Sequence, residues 1–359
     1  MANWAELPFD LLVLIAKRVK VMEDFIAFGV VCTSWRAAAS KENFDVLAPQ
    51  VPLLMQVAPH NFDYRELYSL FKQKVSSIFL PEARGVVCFP TEGWLCTMAY
   101  NINGAEMNLL HPFSRTQIQL PRLKSLWARN QGYLNIVVLS ASPSRTSNYA
   151  LVVHYFARHF YYLAFWRPGD LNWTHIDTKT TWTHIDPKTQ DIFRSIIYYK
   201  GQFYCATFSG QVFVFDVGGP SIPQPIVEPS LLVRQLIYDS FEFYLVEVSS
   251  SLLIVSQFRG DGGEIFSFRV SELDIIRGEL RDINTLGNSA IFLGLKGAIS
   301  IDSSKSTTFK PNHIYFVDGW SDLPNAKAYN LEDKKIESFY PESSLISLTC
   351  RSNWVTPSF

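Results

Sequence analysis

The segment from Leu7 to Trp35, LPFDLLVLIAKRVKVMEDFIAFGVVCTSW, decides how this chain begins to fold. Residues of types A, V, I, L, M, F, W, Y and C fill 19 of its 29 positions, against 48% of the whole chain. Their spacing is helical and so dense that little of the helix is left to face water. The stripe consists of Leu7, Leu11, Ile15 and Val19, widened by Leu12, Ala16 and Met22. Such a segment predicts burial against two partners.

Helix punctuation in this segment predicts three short helices. Pro8 suits the first turn of a helix, and Asp10 lies at the positive end of its dipole. A second helix starts near Glu23, and Thr33 or Ser34 caps a third. Three short helices in about forty residues fall below the size at which a lone core is sufficient, so part of their stability must come from elsewhere.

Three pieces of this segment carry a resemblance through their order and spacing: Leu7-Pro8, then Leu11-Leu12 with Ile15, then the run VCTSWR at 31–36. Together they resemble the F-box, the helical module by which substrate receptors dock on the Skp adaptor of cullin ubiquitin ligases. The alternative is an ordinary helical hairpin packed on its own domain. The resemblance implies an adaptor-binding surface made of Leu7, Pro8, Leu11, Ile15, Val31, Cys32 and Trp35.

Composition describes a globular chain of 359 residues, long enough for one large and one small domain. Its 32 Lys and Arg against 33 Asp and Glu leave a net charge of −1, which gives no electrostatic basis for nucleic-acid binding. Five cysteines, never spaced as CxxC, predict reduced thiols, no metal site and residence in the nucleus or cytoplasm. The apolar run at 11–16 is too short for a membrane span and lacks the flanking positive charge of a signal peptide.

A change of character after the helices marks the joint between domains. Pro49, Pro52 and Pro59 rule out a long helix between Lys41 and Asn61. We therefore divide the chain into a helical domain at 1–44, a linker at 45–63 that can contribute a strand to the next domain, and a substrate-recognition domain at 64–359. Residues 64–71 predict one further short helix.

From about Val75 onward, short turn-bounded runs rich in aromatic and β-branched residues predict strands. The clearest are 134–139, 149–156, 161–166, 192–199, 211–217, 243–248, 252–258, 265–270 and 313–317. In IIYYKGQFYCATFSGQVFVFD, at 196–216, two glycine turns fall nine residues apart, which is typical of an antiparallel meander.

No helix of convincing length separates these strands, so sandwich, barrel and propeller are the open choices. The roughly 280 residues of hairpins exceed one sandwich, and at about 40 to 50 residues per blade they make six or seven propeller blades. We predict an α+β multidomain protein: a small all-α F-box of three helices, then an all-β domain that is a six- or seven-bladed β-propeller. Because a propeller joins its last sheet to its first, we expect the segments 52–57 and 345–350 to share one blade.

Several pieces of the all-β region resemble, in order, the kelch-like β-propeller of a large plant F-box family catalogued as a domain of unknown function. They are 111–113 with 120–121, 198–216, 244–247, 289–294, 312–316 and 354–358. The family shows Asn-Pro where this chain has His111-Pro112. A tandem nine-residue copy, WTHIDTKTT then WTHIDPKTQ at 173–190, is better explained as an insertion tolerated at a loop tip than as a recognition loop.

Sequence patterns of catalysis are missing. The chain has neither a G-x-S-x-G elbow nor a G-x-x-x-x-G-K-[ST] loop, and His175 and His184 lack a third ligand for zinc. A carboxylate pair of the glycosidase kind is the one enzymatic hypothesis left open. We expect no catalytic residue, no cofactor and no metal.

The two resemblances imply the substrate-recognition subunit of a Skp-cullin-F-box ubiquitin ligase. Its partners would be a Skp-type adaptor, through it a cullin, and an unidentified protein substrate, with neither nucleic acid nor membrane. The alternatives are a propeller scaffold without a ligase role and, less favoured, a propeller-fold enzyme. Propellers bind partners through loops and the central opening, so the candidate substrate anchors are Trp94, Trp127, Arg129 and Trp320, which lie beside turns.

Overall fold

The structure is a computed structural model of this chain. It describes residues 4–45, 50–58, 61–70, 72–126, 132–176, 193–207, 211–217, 224–227, 242–260, 263–294, 297–302, 309–318, 325–338 and 353–358.

Three short helices open the chain: α1 (Phe9–Ala16), α2 (Met22–Gly29) and α3 (Thr33–Ala38). Pro8 precedes α1 with φ −52°, so its fixed φ suits the entry to the helix. The expected cap at Thr33 or Ser34 is wrong, because α3 already begins at Thr33 after the extended Cys32 and has no side-chain cap. The three-helix prediction itself is confirmed.

The strands after the helices form four-stranded antiparallel sheets in chain order. Blade 1 holds β1 (Leu53–Val57), β2 (Tyr64–Ser69) and β3 (Lys74–Phe79); blade 2 holds β4 (Val87–Thr91), β5 (Trp94–Asn101), β6 (Gly104–Leu110) and β7 (Gln117–Gln119). Blade 3 holds β8 (Tyr133–Leu139), β9 (Leu151–Ala157), β10 (Phe160–Trp166) and β11 (Thr174–Ile176). Blade 4 holds β12 (Phe193–Tyr199), β13 (Gln202–Thr207), β14 (Val212–Phe215) and β15 (Gln224–Val227). Blade 5 holds β16 (Glu242–Val248), β17 (Ser251–Arg259), β18 (Ile265–Asp274) and β19 (Glu279–Ile283).

Blade 6 departs from the pattern by containing five strands. They are β20 (Ser289–Leu293), β21 (Ala298–Asp302), β22 (His313–Asp318), β23 (Asn325–Asn330) and β24 (Ile336–Ser338), in the order β21-β20-β22-β23-β24. β20 and β22 run parallel, because β21 turns back to the inner edge between them.

The ring is closed by the C-terminal strand β25 (Asn353–Val355), which pairs with β1 as the first strand of blade 1. Trp354 is buried, and its indole donates to the carbonyl of Leu293 in blade 6 at 3.1 Å. The segment 345–350, which we expected to close the ring, lies outside the described residues.

Each blade packs on the next through its own apolar layer, and six such layers follow one another around the ring. The layer between blades 6 and 1 includes Phe292, Trp354 and Leu54, and the layer between blades 1 and 2 includes Leu53, Leu95 and Val355. Since the last blade packs on the first, the described residues form a closed six-bladed propeller.

One predicted element is of the wrong type. The segment we expected as a short helix from Tyr64 is strand β2, which pairs with β1 on one side and β3 on the other. Arg65, Leu67 and Tyr68 are all buried there. Ladder pairing and burial on both faces therefore override the local preference.

Candidate functional site

The three helices share a small core that is separate from those of the ring. It contains Leu12 and Ala16 of α1, Met22, Phe25 and Phe28 of α2, Ala38 of α3, and Phe44. Leu12 and Ala16 are four residues apart and therefore lie on one face of α1, toward the other helices. That face occupies only part of the helix circumference.

Several other large apolar side chains of this module face solvent. Phe9, Leu11 and Leu14 of α1 are 51%, 46% and 52% exposed. Trp4, Val30 and Val31 are exposed as well. Large apolar side chains that stay outside a core in such number form the kind of exposed patch that often marks an interaction site.

The seven predicted adaptor-binding residues all reach solvent, and none is fully buried. Pro8, Leu11 and Val31 are exposed, whereas Leu7, Ile15, Cys32 and Trp35 are half-buried. Trp35 packs its ring 4.4 Å from that of Phe28, and its indole donates to the carbonyl of Trp4 at 3.2 Å. Their role in adaptor binding stays a prediction.

The sequence reasoning missed four exposed apolar residues of the same surface: Trp4, Phe9, Leu14 and Val30. A signal was present, because Leu11 and Leu14 lie three residues apart and share a helix face. The stripe built from Leu7, Leu11, Ile15 and Val19 mixed that face with the edge of the buried one.

Polar contacts fix the helical module to the ring. Gln50, just before β1, accepts the Met22 amide at 2.8 Å and donates to the Lys20 carbonyl at 2.9 Å, so it caps α2 from the linker. Lys72, between β2 and β3, pairs with Asp24 at 2.7 Å. Lys41 donates to the Ser144 carbonyl, between β8 and β9, at 2.8 Å.

A buried histidine lies close to this junction. The Ser114 amide donates to Nδ1 of His111 at 3.0 Å, which leaves Nε2–H to donate to the Ser358 hydroxyl at 3.2 Å. Burial lowers the pKa of His111 to about 4, against a backbone hydrogen bond with Ser358 that raises it and with the positive charge of Lys41 acting in the same direction as burial. His111 is therefore a neutral residue that ties the C-terminal segment to blade 2.

Of the four predicted substrate anchors, the structure describes only Trp94. Trp94 is only 3% exposed, and its indole donates to the Ser144 hydroxyl at 3.2 Å. Its ring centroid lies 5.1 Å from that of His111 in an edge-to-face arrangement. These contacts favour a structural role for Trp94 beneath the helical module. Trp127, Arg129 and Trp320 lie outside the described residues, so substrate binding by all four stays a prediction.

Innermost strands β4, β8, β12, β16, β21 and β25 surround the centre of the ring. Glu92, between β4 and β5, is in contact with solvent. Many protein atoms nevertheless surround its carboxyl group, and the resulting desolvation raises the pKa of that group. The charge of Arg145 opposes that rise and the like charge of Glu247 adds to it.

Two features are absent from the described part of the chain. No group of three or more His, Cys, Asp or Glu side chains there is arranged to hold a metal ion. No helix there has both the length and the apolar character to cross a membrane.

Comparison with known proteins places both regions of the chain. Residues 4–47 match the F-box domain, and residues 67–340 match the KIB1-4 beta-propeller. These matches do not test the boundaries we set at 44 and 63, which stay predictions.

Relatives from Arabidopsis thaliana show the same combination by name. "F-box protein At3g56470" is 24% identical over 81% of this chain and 72% of its own length. "Putative F-box protein At5g55150" is 22% identical over 99% of this chain and 97% of its own. "F-box/kelch-repeat protein At3g18720" is 24% identical over 74% and 68%. The chain therefore belongs to the plant F-box proteins that carry a KIB1-4 beta-propeller.

Proposed function

We propose that this protein is the substrate-recognition subunit of a Skp-cullin-F-box ubiquitin ligase. Its F-box binds a Skp-type adaptor and, through it, a cullin, while the propeller binds a protein substrate. The observation that carries the proposal is the exposed apolar surface of the F-box, which includes Phe9, Leu11, Leu14, Val30 and Val31. A module whose small core leaves these side chains in water is suited to a permanent partner.

Energetics support this proposal. Full burial of a large apolar side chain contributes about 1.5 to 3 kcal/mol. The exposed F-box side chains are about half accessible, so each has roughly half of that still to contribute when a partner covers it. Several such side chains together support a stable complex once the losses on association are met.

In this proposal the ring contributes position rather than chemistry. A substrate held on the propeller is kept near the conjugating enzyme, which turns a bimolecular encounter into an effectively unimolecular step. The receptor then needs no catalytic residue, cofactor or metal, and it acts inside the cell, in the nucleus or cytoplasm. A propeller scaffold without a ligase role and, less favoured, a propeller-fold enzyme are the rival functions.

Affinity capture from plant cells with the proteasome blocked tests the proposal. The wild-type chain is compared with a Leu7→Ala/Ile15→Asp variant and with Val31→Asp, whose exposed position leaves the helical core untouched. We expect adaptor and cullin to disappear from both variants while ring-bound proteins remain. Adaptor captured equally by all three chains would contradict the proposal.

A further inference from the structure

Blade 3 links the F-box to a surface at its far end. Lys41 of the F-box contacts Ser144, in the connection that leads into β9. β9 then runs for seven residues, about 20 Å, before it reaches the turn of Arg158 and His159. Both residues of this turn are left-handed, with φ of 50° and 70°, and both are exposed.

A positively charged cleft opens beside this turn, between blades 2 and 3. Its volume is about 280 Å³, and Arg122, Lys124, Ser125, Arg158, Trp173 and His175 contribute to its walls. Arg122 pairs with Glu106. Lys124 and Arg158 make no ion pair or hydrogen bond with any described residue, and no carboxylate belongs to the lining that these residues provide.

Exposed aromatic rings flank the same turn. Tyr133 is 43% exposed and stacks on Phe156 at 5.4 Å, and its hydroxyl lies 2.7 Å from that of Tyr161. Phe160, next to the turn, and Tyr100 of blade 2 are exposed as well. Rings fixed by one another but open to water are the side chains that most often anchor protein interfaces.

Charge complementarity identifies the occupant. The whole chain has a net charge of −1, so the cleft is a local concentration of positive charge rather than part of a basic surface. Its cations are exposed and spread over two elements, which suits several carboxylates along a chain better than one enclosed phosphate.

We infer that this end of blade 3 binds an acidic segment of a partner protein, with its Asp or Glu side chains in the cleft and an apolar side chain on the Tyr133–Phe156 rings. The inference rests on the proposed function in one respect: the partner would be the ligase substrate. Arg158, on one side of the cleft, lies a strand length along β9 from the connection that holds Ser144, the residue that Lys41 of the F-box contacts.

The test uses the purified full-length chain without adaptor and fluorescein-labelled decapeptide pools. In each pool one position is fixed as glutamate, phosphoserine, lysine or phenylalanine and the others are random. Fluorescence anisotropy compares the wild type with Lys124→Glu/Arg158→Glu and with Lys334→Glu/Lys335→Glu, a matched charge reversal on blade 6. Capture of purified adaptor is measured on the same preparations.

At two or more neighbouring peptide positions, the wild type should bind the pool with glutamate fixed there about tenfold more tightly than the pool with lysine fixed there. Lys124→Glu/Arg158→Glu should lose this preference, and the blade 6 variant should keep it. Equal binding of both pools, no binding of any pool, selection of phosphoserine alone, or equal loss in both variants would overturn the inference. Since adaptor capture is read separately, failure of the cleft is distinguishable from failure of the proposed function.

Discussion

The F-box and the ring differ in how completely they bury their apolar side chains. α1 places Leu12 in a core and leaves its neighbour Leu11 in solvent, whereas every residue of β9 except Phe156 is buried. In the ring each sheet is covered by the next, and β25 closes the circle, so the ring completes its own core. Among the described residues of the F-box, no second layer covers the outer face of α1.

From this difference we expect the F-box, and not the ring, to depend on a partner. A closed ring can be stable by itself, because all six layers between blades are satisfied within the chain. The three helices are too few to bury both faces of α1. We therefore expect core substitutions in the ring to act on stability, and substitutions on the exposed F-box face to act on binding.

Breaking ring closure should have the largest effect. Trp354→Ala removes a buried ring that packs 5.1 Å from Phe292 and bonds the Leu293 carbonyl, so it should cost about 3 to 5 kcal/mol of unfolding free energy. Trp4→Ala, the same change at an exposed F-box position, should cost less than about 1 kcal/mol. Urea unfolding followed by fluorescence measures both. Equal costs would refute closure through Trp354.

Two adjacent leucines of α1 test the difference between buried and exposed apolar positions within the F-box. Leu12→Ala should cost about 2 to 5 kcal/mol of local stability, because Leu12 is fully buried. Leu11→Ala should cost less than about 1 kcal/mol, because Leu11 is already half exposed. Hydrogen exchange of the α2 amides reads this stability. Similar protection losses for the two variants would mean that α1 is oriented differently.

Acid should weaken the tie between blade 2 and the C-terminal segment. His111 has a folded pKa of about 4, below its usual 6.5, so the unfolded chain takes up a proton first and stability falls as pH drops from about 6.5 to 4. From pH 7 to pH 5 this amounts to roughly 2 kcal/mol. The loss should be absent in His111→Asn, when both proteins are unfolded in urea at each pH. Parallel pH profiles would exclude His111 as the cause.

The ion pair between the two regions should matter least. Lys72 and Asp24 are both partly exposed, so water screens their attraction. A double-mutant cycle of Lys72→Ala and Asp24→Ala should give a coupling of about 0.2 to 1 kcal/mol. A coupling well above that range would show that the F-box and ring are held together more tightly than their surface contacts indicate.

Much of the fold could be predicted from the sequence because its signals are local. The three helices follow from apolar spacing, and hairpins such as β12–β13 follow from strand runs around Lys200-Gly201. Six blades were within the predicted range because length limits their number. The resemblance located the F-box, and the family match confirms an F-box domain there.

Features that depend on contacts between residues far apart in the sequence could not be predicted from it. β2 was predicted as a helix, since only pairing with β1 and β3 makes it a strand. The fifth strand of blade 6 depends on the inward return of β21. The cleft joins Lys124 and Arg158, more than thirty positions apart, and no spacing rule connects them. Exposure of Leu14 and burial of Trp94 likewise depend on neighbours that the sequence does not name.

The most direct test of adaptor binding by the F-box is the affinity of the purified full-length chain for a purified plant Skp-type adaptor, measured by titration calorimetry. Leu11→Asp/Leu14→Asp places two charges on the exposed face of α1 and should weaken binding about a hundredfold or more. Leu171→Asp/Ile276→Asp makes the same change at two exposed apolar positions of the ring and should leave affinity unchanged. Wild-type affinity in a folded Leu11→Asp/Leu14→Asp chain, or no adaptor binding by the wild type, would contradict the central claim.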